Sequence, residues 1–328
     1  MVRRPTQSDV ARVAGVSRGA VSLALSSSPG VGSATRERIL RVADELGYVR
    51  NLSAASLAGR FDATLGVVLP NLRNPFFEAL VAQVQRWGVE ADLLPLFVTS
   101  LDEPAREVTV MRKLHELRVA GVVVASPVSP AADLVAMSAR LPLAVIGIAS
   151  PGGNVDAVFM DENHAARLVS HHLRARRWRR VLHLSSPHAP DDIWIARRRQ
   201  ALESAWAGLP FAHEAIPPGG LIQPVIDAHD PRNRDEPLAI IAHNDLLATD
   251  VTTAVQGLGL VPGRDVAIVS FDDTHMAARP EYNLTSVRQD ADALASAALG
   301  MLRERGEGLE APGREVVVTP TLTVRSSS

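Results

Sequence analysis

The 328-residue chain contains no cysteine, which excludes disulfides and thiolate metal sites. It contains one lysine, Lys113, so its positive charge is almost wholly arginine. Arginine's planar fork grips a phosphate or a guanine edge at two points, although genome composition enriches arginine equally well. No apolar run approaches the ~18 residues of a membrane span, and no apolar leader precedes the first helical pattern. The expected address is therefore cytoplasmic, away from any membrane. GxGxxG, P-loop and nucleophile-elbow patterns are all missing, and the expectation is that the chain is not an enzyme. His171 and His172 lie in a helical pattern among arginines, which reads as a solvated face and not as a metal site. What is present is 46% apolar residues over a length that suits two or three domains.

Charge is unevenly placed. Residues 1–60 hold nine Arg against four Asp or Glu, a balance of +5, which leaves −7 for the rest of a chain whose net charge is −2. A polyanion-binding charge is thus gathered at one end, as phosphate neutralisation by a small module requires. Arg3 and Arg4 form a short basic arm, a type of segment that either touches a DNA backbone or is a disordered terminus. Residues 8–25, SDVARVAGVSRGAVSLAL, then read as two short helices around a tight turn. Helix 9–14 has Val10 and Val13 on its apolar side, and Gly15 supplies a positive φ at little steric cost. Ser17 caps a second helix whose buried side is Ala20, Val21 and Ala24, leaving Arg18, Gly19, Ser22 and Leu23 outward. That is the geometry of a helix-turn-helix, whose second helix enters the major groove by its N-terminal end. Spacing alone also admits a generic helical hairpin.

Ser33 can cap a third helix over 34–46, with Ile39, Val42, Ala43 and Leu46 at helical spacing. In residues 49–60, Asn51 can cap a helix of 52–58 closed by Gly59, too short to be stable alone; a plain linker is the alternative. From Ala63 continuous Val/Leu/Ile runs alternate with amphipathic helices, the signature of parallel strands covered on both faces. The alternation restarts after residue 156, so the sequence reads as two doubly wound lobes with a ligand expected between them. The chain ordering resembles periplasmic sugar-binding proteins, in which late segments cross back to the first lobe.

Taken in order, DVARVAGVS with VSLAL, TRERIL, ELGY, GVVLPNLRNPFFEAL, FMDEN, HHL, AHNDLLA, GLVPGRDVAIVSFDD, PEYNLTSVRQD and PTLTVRSS give the chain a resemblance to the LacI/GalR family of bacterial transcriptional regulators. The resemblance implies a small all-α helix-turn-helix domain (1–48), a hinge helix or linker (49–61) and an α/β two-lobed periplasmic-binding-protein-like body. The first lobe would hold 62–158 and about 287–312, the second 159–286 and about 313–328. It further implies a homodimeric repressor on a palindromic operator, associated with the nucleoid when bound, controlled by a small-molecule effector such as a sugar or related polar metabolite. No cofactor or metal is implied.

By position, Arg18, Gly19 and Leu23 match base-reading residues, and only Arg18 can make two hydrogen bonds to guanine. Thr6, Ser8, Ser22, Thr35 and Asn51 match phosphate-holding positions. Leu57 matches a leucine wedged into the minor groove, while Ala55 replaces a common Arg; Leu52 and Leu57 also read as dimer contacts. Phe76, Phe77, Trp194, Arg198, Asn244, Asp245 and Asp272 match the effector pocket. The alternatives are core packing for a phenylalanine, a surface loop for Trp194 and a helix cap for Asp245. Asp272 with Asp273 also has the look of a metal pair, which the resemblance explains as strand-end structure. Ala165, Ala201, Asp250 and Ser270 stand where the family usually has glycine, and are expected to narrow backbone approaches around the cleft.

Overall fold

The computed structural model describes residues 5–25, 29–48, 64–186, 193–217 and 219–328. The chain divides into two compact units, Met1–Phe61 and Asp62–Ser328.

The described part of the first unit is three helices, α1 (Gln7–Ala14), α2 (Arg18–Leu25) and α3 (Ser33–Glu45). Thr6 caps α1 in a reciprocal box: the Asp9 amide donates to Thr6 Oγ1 at 3.3 Å and the Thr6 amide donates to Asp9 Oδ2 at 2.9 Å. Gly15 ends α1 at φ 66° and ψ 38°, the left-handed conformation its position demands. Val10, Val21 and Ile39 are fully buried, one from each helix, and form the centre of a small core. Val13, expected inside, is 49% exposed, because the buried face of α1 runs through Val10, Ala11 and Ala14. Ser33 is the first residue of α3 and not its cap; Gly32 holds the cap position without a side-chain bond.

The second unit carries two six-stranded sheets. The first holds β1 (Thr64–Leu69), β2 (Leu94–Thr99), β3 (Val122–Ala125), β4 (Leu143–Ile146), β5 (Val155–Met160) and β11 (Glu315–Val318), in the order β11-β5-β4-β3-β1-β2, all parallel. The second holds β6 (Arg180–Ser185), β7 (Phe211–Ala215), β8 (Leu238–Ala242), β9 (Ala267–Asp272), β10 (Thr285–Arg288) and β12 (Thr321–Thr323), in the order β12-β10-β9-β8-β6-β7. Only the β10–β12 pairing in it is antiparallel. β3, β4, β8 and β9 are buried at every residue, as strands covered on both faces must be.

The first sheet is flanked by α4 (Pro75–Glu90), α5 (Pro104–Glu116), α6 (Ala131–Ser138) and α11 (Ala291–Gly306). Around the second lie α7 (Glu162–Ala175), α8 (Ile193–Ala205), α9 (Ile222–Ala228) and α10 (Asp245–Gly257). Asn74 caps α4 by accepting the Phe76 amide at 3.0 Å, Pro75 opens it, and Phe76, Phe77, Leu80 and Val84 bury one face. A buried side chain such as Leu80 contributes about 1.5–3 kcal/mol by leaving water.

The chain passes between the lobes after Met160, after Arg288 and after Val318. The last passage corrects a boundary: residues 315–318 pair with β5 (Glu315↔Ala157), so they complete the first sheet and the second lobe regains the chain at Thr321. Buried Asp156 fixes this return by accepting from Arg305 Nε at 2.7 Å and Arg314 Nη2 at 2.9 Å. Burial works against that carboxylate's charge, but the two guanidiniums prevail and hold its pKa below the usual value.

Candidate functional site

In the first unit, Ser17 Oγ accepts the Ala20 amide at 3.2 Å and so starts α2. Arg18 and Gly19 are exposed on its opening turn, while Ser22 and Leu23 are half-buried farther along. That turn holds no acidic side chain, so its free amides and Arg18 offer only positive potential to an approaching anion. Arg36 Nη1 donates to the Ala24 carbonyl at 3.0 Å and braces α3 against the end of α2. Ser8 is exposed and Thr35 half-buried. Thr6 differs from expectation: its hydroxyl donates to Asp9 Oδ2 at 2.7 Å, so capping already occupies the group assigned to a phosphate. Asn51 and Leu57 lie outside the described residues.

In the second unit, a cleft of about 370 Å³ opens at the carboxyl ends of the strands of both sheets. Phe76 and Phe77 line it from α4 with ring centroids 5.7 Å apart and an interplanar angle of 62°. Both also belong to the first lobe's core, so the core and pocket readings hold together. Arg198, buried on α8, donates to both carboxylate oxygens of Glu162, at 2.8 and 3.1 Å, and to the His243 carbonyl at 2.6 Å. Its guanidinium carbon stands 4.0 Å from the Phe271 ring centroid, so the side chain is fixed from three directions. On the opposite wall Arg73 Nη2 donates to Asp102 Oδ2 at 2.6 Å, and Asn71 Nδ2 to the other oxygen at 2.9 Å.

Asp272 ends β9 with φ 104°, a strained backbone for a residue with a side chain. Its carboxylate accepts from Asn74 Nδ2 of the first lobe at 2.8 Å and from Gln289 Nε2 at 2.5 Å, a direct hydrogen bond across the cleft and one to a crossing segment. Burial, and then the neighbouring charge of Asp245, push its pKa up to about 6 against the pull of Arg198, Asn74 and Gln289.

Asn244 lines the cleft and caps α10 by accepting the Leu247 amide at 2.8 Å. Asp245 does not line it. Its carboxylate is fully buried and takes Ser270 Oγ at 2.5 Å, Ser286 Oγ at 2.7 Å, and the Thr274 amide and hydroxyl at 2.6 and 2.9 Å. Expected as an effector contact, it instead ties α10 to β9, β10 and the turn after β9. Ser270 is explained by the same network: its hydroxyl serves Asp245 and does not narrow the cleft. Ala165 and Ala201 pack in the core under α7 and α8. Of the four positions expected to carry glycine, only Asp250 lines the cleft. Trp194 lies inside α8 and not in a loop before it; its side chain lies outside the described residues.

A profile described as "Bacterial regulatory proteins, lacI family" matches residues 6–51, and one described as "Periplasmic binding protein-like domain" matches 170–328. The HTH-type transcriptional regulator DegA of Bacillus subtilis is 25% identical over 98% of this chain and 97% of its own length. GalR of Escherichia coli is 27% identical over 98% of this chain and 95% of its own. The chain belongs to the LacI/GalR family of bacterial transcriptional regulators.

Among solved structures, the Lac repressor dimer bound to operator and the anti-inducer ONPF superposes with a TM-score of 0.83 at 22% identity, covering 99% of each chain. The complex of the regulator CelR with cellobiose superposes with a TM-score of 0.69 at 23% identity, over 99% of this chain and 100% of that one. The LacI/GalR relatives are transcriptional regulators and not enzymes. Within this family fold, sequence reasoning missed Glu162, Gln289, Asn71 and Asp102 as cleft residues. Glu162 and Gln289 were present in the motifs FMDEN and SVRQD, each placed just past a strand end where the chain crosses lobes.

Proposed function

We propose that this LacI/GalR regulator is a homodimeric repressor that binds a palindromic operator and is controlled by a small polar effector, such as a sugar, held between the two lobes of its body. The observation that carries the reading is the joint presence of an exposed Arg18–Gly19 turn at the start of α2 and a polar, aromatic-walled cleft at the strand ends of both sheets. Arg18 reads a guanine, Gly19 lets a base edge approach, and Leu23 offers apolar contact to a thymine methyl. Ser8, Ser22, Thr35 and Asn51 hold phosphates; Thr6 joins them only by exchanging its bond to Asp9. Leu57 wedges the minor groove from a hinge that docks or melts as the effector changes the angle between the lobes. Phe76, Phe77, Arg198, Asn244 and Asp272 surround the effector, with Trp194 beside them in sequence, and the protein works in the cytoplasm, on the nucleoid when bound.

The test is selection of bound duplexes from random DNA, followed by titration of the enriched sequence. Arg18→Ala is expected to weaken binding about 5- to 150-fold and relax specificity at one base pair of each half-site, the ~1–3 kcal/mol of a bidentate arginine–guanine contact. A pool from which nothing is enriched would refute operator binding.

A further inference from the structure

Among the described residues the cleft is lined by four carboxylates, Asp102, Glu162, Asp250 and Asp272, and by two arginines, Arg73 and Arg198. Both arginines are already matched, Arg73 by Asp102 at 2.6 Å and Arg198 by Glu162 at 2.8 Å. The other two acids are not. Asp272 is held by the amides of Asn74 and Gln289, which donate hydrogen bonds but carry no charge. Asp250 is exposed on α10 and has no ion pair or hydrogen bond among the described residues; partial desolvation alone acts on its carboxyl, pushing its pKa up.

Among the described residues, the carboxylates and arginines lining the cleft therefore leave two negative charges in excess when both acids are ionised. A ligand bearing phosphate or carboxylate meets like charge there, with no described arginine of the lining left to receive it. A neutral sugar can donate hydroxyls to Asp250 but leaves both charges standing in a partly dry site. An ammonium group donates up to three hydrogens and removes one of those charges. Phe76 and Phe77 on the facing lobe present rings, surfaces that accept a cation as readily as a sugar's apolar side.

We propose that the cleft takes a small polyhydroxylated molecule bearing a primary amine, its ammonium set against Asp250 with Asp272 as the second anionic contact. Asp250 is thus the residue that selects the charge of the ligand. The proposal rests on the effector reading of the cleft and narrows its chemistry.

The test is calorimetric titration of the full chain, at pH 7.5 and millimolar concentrations, with three matched sets of probes. These are D-glucosamine, D-galactosamine and D-mannosamine; the parent hexoses; and the hexose 6-phosphates. The expected result is that an amine binds at least about tenfold more tightly than its parent and than the phosphate, and that Asp250→Asn removes this preference. Unliganded melting of Asp250→Asn, expected unchanged for an exposed helix position, shows that the variant is folded. The proposal is overturned if a hexose or a phosphate binds as well as the amine, if none of the probes binds, or if Asp250→Asn weakens amine and parent equally. Parallel titration with selected DNA separates the two readings. An amine that binds with the expected preference yet leaves DNA affinity unchanged upholds the ligand class and removes the regulatory role. A neutral hexose that binds and shifts DNA affinity does the reverse.

Discussion

Asp245 and Asp272 are both buried carboxylates of the second lobe, yet they have different work to do. Asp245 receives four hydrogen bonds from its own lobe and leaves no lone pair directed at the cleft that a ligand needs. Asp245→Ala strands the hydroxyls of Ser270, Thr274 and Ser286, and is expected to lower unfolding free energy by roughly 3 kcal/mol or more in denaturant melts. Asp272 spans the lobes, and burial, then the charge of Asp245, raise its pKa to about 6 against the opposing pull of Arg198. A carboxyl raised on folding favours the native state below its unfolded pKa of about 3.9, and that benefit is lost as pH rises through the folded value. The stability of wild type relative to Asp272→Asn is therefore expected to fall between pH 4 and 7 and to level off above. A difference that is flat across that range would contradict the assignment. His183 shows the opposite sign. Its ring nitrogens are buried without hydrogen-bond partners among the described residues. Burial first, then His213, Arg198 and Arg199, hold its pKa well below the usual value. Its neutral form is the native one, so its contribution is intact above about pH 6.5 and lost on acidification. His183→Leu is expected to flatten the acid limb of the melting curve below that pH.

At the scale of elements, the turn between α1 and α2 depends on backbone conformation more than on space. An added Cβ at Gly15 would meet no atom within 4 Å, so Gly15→Ala pays only for φ 66°. That strain is about 1 kcal/mol, and it should appear as roughly fivefold faster hydrogen exchange in α1 and α2. Long apolar runs made β1, β3, β4, β8 and the start of β9 legible in the sequence, because a strand buried on both faces carries few polar positions to blur it. β7 (FAHEA), β10 (TSVR) and α9 (IQPVIDA) were not legible. They are short or polar, and sheet position, not local pattern, makes them what they are. The same limit applies to the cleft. Arg198, Asn244 and Asp272 carried a positional likeness, whereas Glu162 and Gln289 enter only because the chain crosses between lobes beside them. Asp245, next to Asn244 in the sequence, points the other way because the first turn of a helix sends neighbouring side chains to different faces.

At the scale of the whole molecule, two sheets built from interleaved segments share three crossings, and the proposed change of angle between the lobes would turn on those crossings. The Asn74–Asp272 bond is one contact that such a change must make or break. Operator binding through several phosphates should weaken steeply with salt, and a slope of log affinity against log salt near zero would rule it out. The most direct measurement is a linked pair of titrations: selected duplex DNA with and without the cleft's ligand, and the ligand with and without that DNA. Each partner is expected to change the other's affinity by the same factor, about 5- to 150-fold for a coupling of 1–3 kcal/mol. A ligand that binds the cleft while the DNA affinity stays constant would contradict the account.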